Sequence, residues 1–107
     1  MLTFAIITND QLMVKTLAEV DFLNFVEDTV GVCFGHRRFN DMVILENNLL
    51  EKLNPLATKL FGTDFFDTII VINKQDYCYC CDDYYLSLSE KQLEVLHENY
   101  QKAIREN

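Results

Sequence analysis

The sequence DTIIVIN, at positions 67–73, constrains the fold more than any other stretch of the chain. Every residue from Thr68 to Ile72 is β-branched, and such a continuous run favours a strand that is buried on both faces. A strand of this kind needs a layer of structure on each side, so we expect it in the centre of a sheet. The turn-forming NKQD and the alternating YCYC come next, and they predict an antiparallel hairpin with this strand.

The C-terminal segment carries the clearest helix signal. Ser89 and Gln92 form a capping-box pattern, in which each side chain can bond a free backbone N–H at the helix start. Leu88 and Leu93 are spaced to touch across that start as a hydrophobic staple. The helix is expected to pack on the sheet through one apolar stripe: Leu93, Leu96, Tyr100, Ala103 and Ile104.

The N-terminal third contains a similar pattern. Residues 2–7 predict a strand, and Thr8 with Gln11 fits a second capping box, which predicts a helix over residues 9–18. Residues 20–29 fit either a strand face or a continued helix. Gly31 and Gly35 disfavour a helix between them, so residues 30–34 are expected to form a strand.

In the middle of the chain, apolar residues recur at three- and four-residue spacing from Met42 to Leu60, which predicts a second helix. Pro55 interrupts this helix, because proline lacks a backbone N–H and its ring crowds the preceding turn. We expect Asn54 and Pro55 to restart the helix as its cap and first residue, with a kink there. Gly62 is well placed to end it near residue 61.

These elements together predict an α+β fold. We expect a single compact domain over residues 1–107, with a small, mainly antiparallel sheet and about three helices packed on it. The composition agrees, because a chain of 107 residues that is 50% hydrophobic, with three glycines and one proline, has no linker-like stretch.

The charge balance limits the classes of partner. The formal net charge is −8, from 17 acidic and 9 basic side chains, so neither nucleic acid nor a membrane is expected as a direct partner. A basic protein would be attracted instead. The N-terminus has no basic leader, and no stretch reaches the roughly 18 apolar residues of a membrane span. We therefore expect a soluble, cytoplasmic protein.

Three of the four cysteines lie in the sequence DYCYCCDDYY, at positions 76–85. Cys78 and Cys80 could join Cys33 and His36 in a tetrahedral zinc site, although Cys-x-Cys-Cys is not the common spacing of zinc-binding cysteines. The neighbouring aspartates disfavour thiolates and so argue against redox chemistry. We expect packed, inert thiols with neither metal nor cofactor, and a structural zinc site is the alternative.

The sequence GHRRFND, at positions 35–41, concentrates positive charge. His36, Arg37 and Arg38 could bind a phosphate or carboxylate, and with Cys33 they would form the site of a small enzyme or ligand-binding domain for an anionic substrate. A simpler interpretation, which we favour, is a surface turn whose arginines pair with acids of the same chain. No catalytic residue can be identified, and we expect no enzymatic activity.

Aspartates and tyrosines interleave in DYCYCCDDYY, and this combination suits contact with a basic protein surface. We therefore expect a small inhibitor of the antitoxin, immunity-protein or counter-defence type. It would cover a basic functional surface of a partner such as a toxin or a nucleic-acid-processing enzyme. Self-association through exposed tyrosines is an alternative. The expected contact residues are Asp76, Tyr77, Tyr79, Asp82, Asp83, Tyr84 and Tyr85.

Overall fold

The computed structural model describes residues 1–47, 49, 52–75 and 84–105, with only the backbone described at Tyr84. These residues form six strands and three helices, which follow one another as three successive ββα units. The strands are β1 (Leu2–Ile7), β2 (Leu12–Leu17), β3 (Gly35–Phe39), β4 (Met42–Glu46), β5 (Ile69–Gln75) and β6 (Tyr84–Leu86). The helices are α1 (Glu19–Thr29), α2 (Pro55–Phe61) and α3 (Glu90–Arg105).

The strands form one sheet in the order β2-β1-β5-β4-β3, and β6 pairs with the C-terminal half of β5. All the pairings between described strands are antiparallel, so the predicted α+β fold is confirmed. The central position predicted for the strand in DTIIVIN is also confirmed, because β5 lies between β1 and β4. Its residues from Ile69 to Ile72 are completely buried.

The centre of the sheet is covered on both faces, which explains why the first four residues of β5 have no exposed side. Alternation along β5 sends Ile69 and Val71 to a core shared with α2 and α3, while Ile70 and Ile72 enter a core shared with α1. The helices contribute most deeply to these cores through Leu56, Ala57, Phe61, Leu96 and Ala103 on one face and Phe22 and Val26 on the other.

The helix predicted for residues 9–18 is wrong, because this segment turns back and forms β2. The Thr8 Oγ1 accepts a hydrogen bond from the Gln11 N–H at 3.1 Å, as in a capping box. The Thr8 N–H also donates to the Gln11 carbonyl at 2.9 Å, however, and this bond closes a tight turn. β2, which includes the β-branched Val14 and Thr16, then pairs with β1 along its whole length.

Residues 20–29, whose sequence fits either a strand or a helix, are helical and belong to α1. Phe22 and Val26 of this helix are buried one turn apart. The strand predicted for residues 30–34 is wrong, since β3 begins only at Gly35. Val30 instead completes the end of α1, where its N–H donates to the Val26 carbonyl at 2.7 Å. Gly31 follows with φ of +127°, a conformation that side-chain-bearing residues rarely adopt.

The predicted second helix is correct only from Pro55 onwards. Asn54 caps α2 by accepting a hydrogen bond from the Ala57 N–H at 3.0 Å, and Gly62 ends it with φ of +72°. Residues 42–46 form β4 instead, and the kinked helix across Pro55 is wrong. All five residues of β4 are buried, because its two faces contribute to different cores.

The capping box of α3 is confirmed. The Ser89 N–H donates to Gln92 Oε1 at 2.8 Å, and the Gln92 N–H donates to Ser89 Oγ at 3.1 Å. The predicted stripe packs on the sheet up to Ala103, but Ile104 is 41% exposed.

Candidate protein-binding site

Only the end of the predicted contact stretch lies within the described residues. Tyr84 and Tyr85 belong to β6, and of these two the side chain is described at Tyr85 alone. The other predicted contacts, and two of the predicted zinc ligands, lie outside the described residues: Asp76, Tyr77, Cys78, Tyr79, Cys80, Asp82 and Asp83. Their roles remain predictions.

Tyr85 fastens the end of this stretch to the face of the sheet that α1 covers. Its ring packs at 5.0 Å from the Phe22 ring of α1, measured between centroids. Its hydroxyl lies 2.6 Å from His36 Nε2 of β3, within hydrogen-bonding distance, and the two rings are nearly parallel. Tyr85 is therefore half-buried and joins α1 to β3 rather than standing free on the surface.

The predicted cationic group is divided between the two faces of the sheet. His36 and Arg38 stand opposite Leu45 and Val43 of β4, which belong to the α1-side core. Arg37 stands opposite Ile44, on the face covered by α2 and α3. The structure therefore brings His36 and Arg38 to one side and Arg37 to the other. The side chain of Cys33, which was grouped with them, is exposed before the strand begins.

Arg37 is engaged by an acid of its own chain. Its Nη2 donates to Glu46 Oε1 at 2.8 Å, and its Nε lies 2.7 Å from Glu46 Oε2. The guanidinium also lies over the Phe65 ring, 4.5 Å from the centroid. This geometry holds the guanidinium plane in place and directs it towards Glu46.

Glu46 is a buried acid that the sequence reasoning did not identify, and its position at the end of the apolar run MVIL was the available signal. It is only 4% exposed. Burial raises the pKa of its carboxyl, while the charge and hydrogen bonding of Arg37 act in the opposite direction. Because the pKa is higher in the folded chain, the stability that Glu46 contributes is present at low pH and declines as pH rises through the folded pKa.

The outward surface of α1 combines acids with exposed apolar side chains. We call it the α1 face and define it by the exposed residues Val20, Asp21, Leu23, Asn24 and Asp28. Val20 is 82% exposed and Leu23 is 48% exposed. The whole helix, EVDFLNFVEDT, contains four acids and no basic residue. Sequence reasoning missed this surface because residues 20–29 also fitted a strand.

The described residues contain no group of three or more His, Cys, Asp or Glu side chains arranged to hold a metal ion. Three depressions have volumes of about 150, 210 and 280 Å³. Ligand pockets usually measure roughly 300–1,000 Å³, so these depressions give little room to enclose a small molecule.

Comparison of the chain with protein-family models, with curated proteins and with solved structures found no match. Within the described part of the chain, no helix has both the length and the apolar character of a membrane span. The function is therefore inferred from the chemistry of the described surface.

Proposed function

We propose that this chain is a small, cytoplasmic, non-enzymatic inhibitor of the antitoxin, immunity-protein or counter-defence type. It binds a basic partner protein, such as a toxin or a nucleic-acid-processing enzyme, and covers that partner's functional surface. The observation that carries this proposal is the α1 face, where exposed apolar side chains stand among carboxylates with no basic residue in the helix.

The α1 face has the two kinds of group that a protein contact needs. Val20 and Leu23 supply apolar area that is lost from water on binding, and Asp21 and Asp28 supply charge for lysines and arginines of a partner. The helix beneath is held firmly, because Phe22 is buried and meets the Phe4 ring edge-on at 4.9 Å. A surface held in this way loses little conformational entropy when it binds.

The predicted contact stretch ends on the same side of the sheet. Tyr85, the last residue of this stretch, packs on Phe22 of the helix that carries the α1 face. We propose that both acidic segments contribute to one contact region. The net charge of −8 would accelerate the encounter with a basic partner, and this acceleration would weaken as salt screens the charges.

The test begins with a partner captured from the native host, followed by binding and activity measurements on the purified pair. Asp21→Lys with Asp28→Lys should slow association at low salt by roughly tenfold or more and restore the partner's activity. Glu94→Lys with Glu98→Lys is the matched control, because it makes the same charge change on exposed residues of α3, on the other face of the sheet.

A third variant, Asp82→Lys with Asp83→Lys, tests the predicted stretch separately. If the α1 variant and the α3 control slow association equally, charge acts only through the overall field of the chain. That result would refute the α1 face as the contact. A partner that binds normally but keeps its full activity would refute inhibition itself.

A further inference from the structure

β2 is an outer strand of the sheet, and it pairs with β1 but with no other described strand. Its side chains are largely exposed, with Met13 at 42% and Val14 at 53%. An outer strand with exposed apolar residues offers unpaired backbone N–H and C=O groups to a further strand. β2 therefore has the properties of an interaction surface.

The turn before β2 determines which backbone groups point outwards. Thr8 and Gln11 form a hydrogen-bonded pair, because the Thr8 N–H donates to the Gln11 carbonyl at 2.9 Å. In an antiparallel ladder, hydrogen-bonded and non-hydrogen-bonded pairs alternate along the strand. Leu12, Val14 and Thr16 are therefore in non-hydrogen-bonded pairs with β1, and their N–H and C=O groups face away from it.

Charge indicates what kind of strand fits there. Residues 11–18, QLMVKTLA, contain no acid and one lysine, although the chain as a whole carries a net charge of −8. Two copies of this chain repel each other over most surfaces, but they can meet at β2 without bringing carboxylates together. At the opposite edge, β3 carries Arg37 and Arg38, so two copies of that edge would oppose like charges.

We propose that β2 pairs antiparallel with β2 of a second copy of this chain. The outward backbone groups set the register, with Val14 opposite Val14 at a twofold axis and Leu12 opposite Thr16. On the other face of the ribbon, Met13 stands opposite Lys15, whose ammonium lies over the Phe25 ring of its own α1, 5.0 Å from the centroid. The dimer extends the sheet across the axis and removes the exposed Val14 side chains from water.

This interface is independent of the proposed inhibitor function, because β2 and the α1 face are different surfaces. The test is the mass in solution from about 1 µM to about 1 mM, measured by sedimentation equilibrium. The expected mass rises from 12.5 kDa towards twice that value. Over the same range, hydrogen exchange at the N–H groups of Leu12, Val14 and Thr16 should slow.

Val14→Lys places two ammonium groups at the axis and should weaken the dimer by about tenfold or more. Val20→Lys makes the same change on α1, where Val20 is 82% exposed, and should leave the dimer intact. Circular dichroism verifies that both variants fold. A mass of one chain at every concentration, or equal dimerisation of the two variants, would overturn the proposal. Dimerisation without slowed exchange in β2 would overturn it as well.

Discussion

The turn at Thr8–Gln11 and the start of α3 at Ser89–Gln92 contain the same hydrogen bond and lead to different structures. In both, a hydroxyl oxygen accepts a bond from the N–H three residues later, at 3.1 Å. The N–H of Thr8 then bonds the backbone carbonyl of Gln11, whereas the N–H of Ser89 bonds the side chain of Gln92. The first arrangement reverses the chain, and the second lets the helix continue.

The difference shows that a capping pattern permits a helix without requiring one. After Gln11 the chain continues as LMVKTL, whose β-branched residues pair with the buried β1. After Ser89 the apolar residues recur at helical spacing, and Leu93 donates its N–H to the Ser89 carbonyl at 3.0 Å. The residues that follow the pattern, and the surface they can bury, decide between the two outcomes.

The largest loss of stability is expected at a third capping residue, which lies in the buried core. Asn54 is completely buried, caps Ala57, and donates to the carbonyls of Ile7 at 3.1 Å and Asp67 at 2.7 Å. Asn54→Ala should lower the free energy of unfolding by about 3 kcal/mol, because it removes three hydrogen bonds from a site with little access to water. Urea denaturation followed by circular dichroism measures this loss.

Asn54→Ser is the control for that variant, since it keeps a capping oxygen and removes both donated bonds. It should retain part of the lost stability. If Asn54→Ala lowers the free energy of unfolding by no more than the removal of an exposed cap does, burial adds nothing to the contribution of this residue.

The next effect is expected at Gln92, which differs from Gln11 in having a second set of bonds. Its side chain exchanges two hydrogen bonds with Asn73 of β5, at 2.7 and 2.9 Å, besides accepting from the Ser89 N–H. Gln92→Ala should lower the free energy of unfolding by about 2 kcal/mol in the same assay. Gln92→Glu keeps the accepting oxygens and should lose less. Equal losses would mean that the two hydrogen bonds accepted by Gln92 Oε1 contribute little.

Ser89→Ala tests the exposed cap itself. Removing its Oγ leaves the Gln92 N–H without that acceptor at the start of α3, so the free energy of unfolding should fall by about 1 kcal/mol. Ser89→Asp restores an acceptor and adds a favourable charge at the helix N-terminus, and it should recover the loss. If the aspartate variant is no more stable than the alanine variant, capping is not what Ser89 contributes.

The smallest effect is expected from Thr8→Ala, at roughly 0.5 kcal/mol in the same assay. The backbone bond between Thr8 and Gln11 and the pairing of β2 with β1 remain in this variant. A loss as large as that of Ser89→Ala would contradict the view that the hydroxyl is incidental to the turn.

The sequence predicts best where several signals agree and worst where one pattern serves two structures. β5 is clear from its unbroken β-branched run, and α3 from a capping box followed by helical spacing. The helix predicted across β4 is wrong because Met42 and Leu45 fall at helical spacing, although the adjacent Val43 and Ile44 favour a strand. Strands buried on both faces lack the alternation that would have separated the two readings.

The candidate sites follow from these element assignments. The separation of Arg37 from His36 and Arg38 is a consequence of strand alternation, so it could be read only once residues 35–39 were known to form a strand. The α1 face likewise exists only if residues 19–29 are helical. The aspartates predicted as contacts lie outside the described residues, and the surface that carries the proposal came instead from a segment whose structure the sequence left open.

The central place of β5 has a consequence for the order in which the protein can be assembled during synthesis. The hairpins β1–β2 and β3–β4 are synthesised before β5, yet among the described strands it is β5 that joins them, with Ile70 paired to both Ile6 and Leu45. Until β5 emerges, the apolar strands β1 and β4 each present an unpaired edge that a neighbouring nascent chain could occupy. The sheet therefore cannot be completed before β5 is synthesised, because this strand joins the two earlier hairpins.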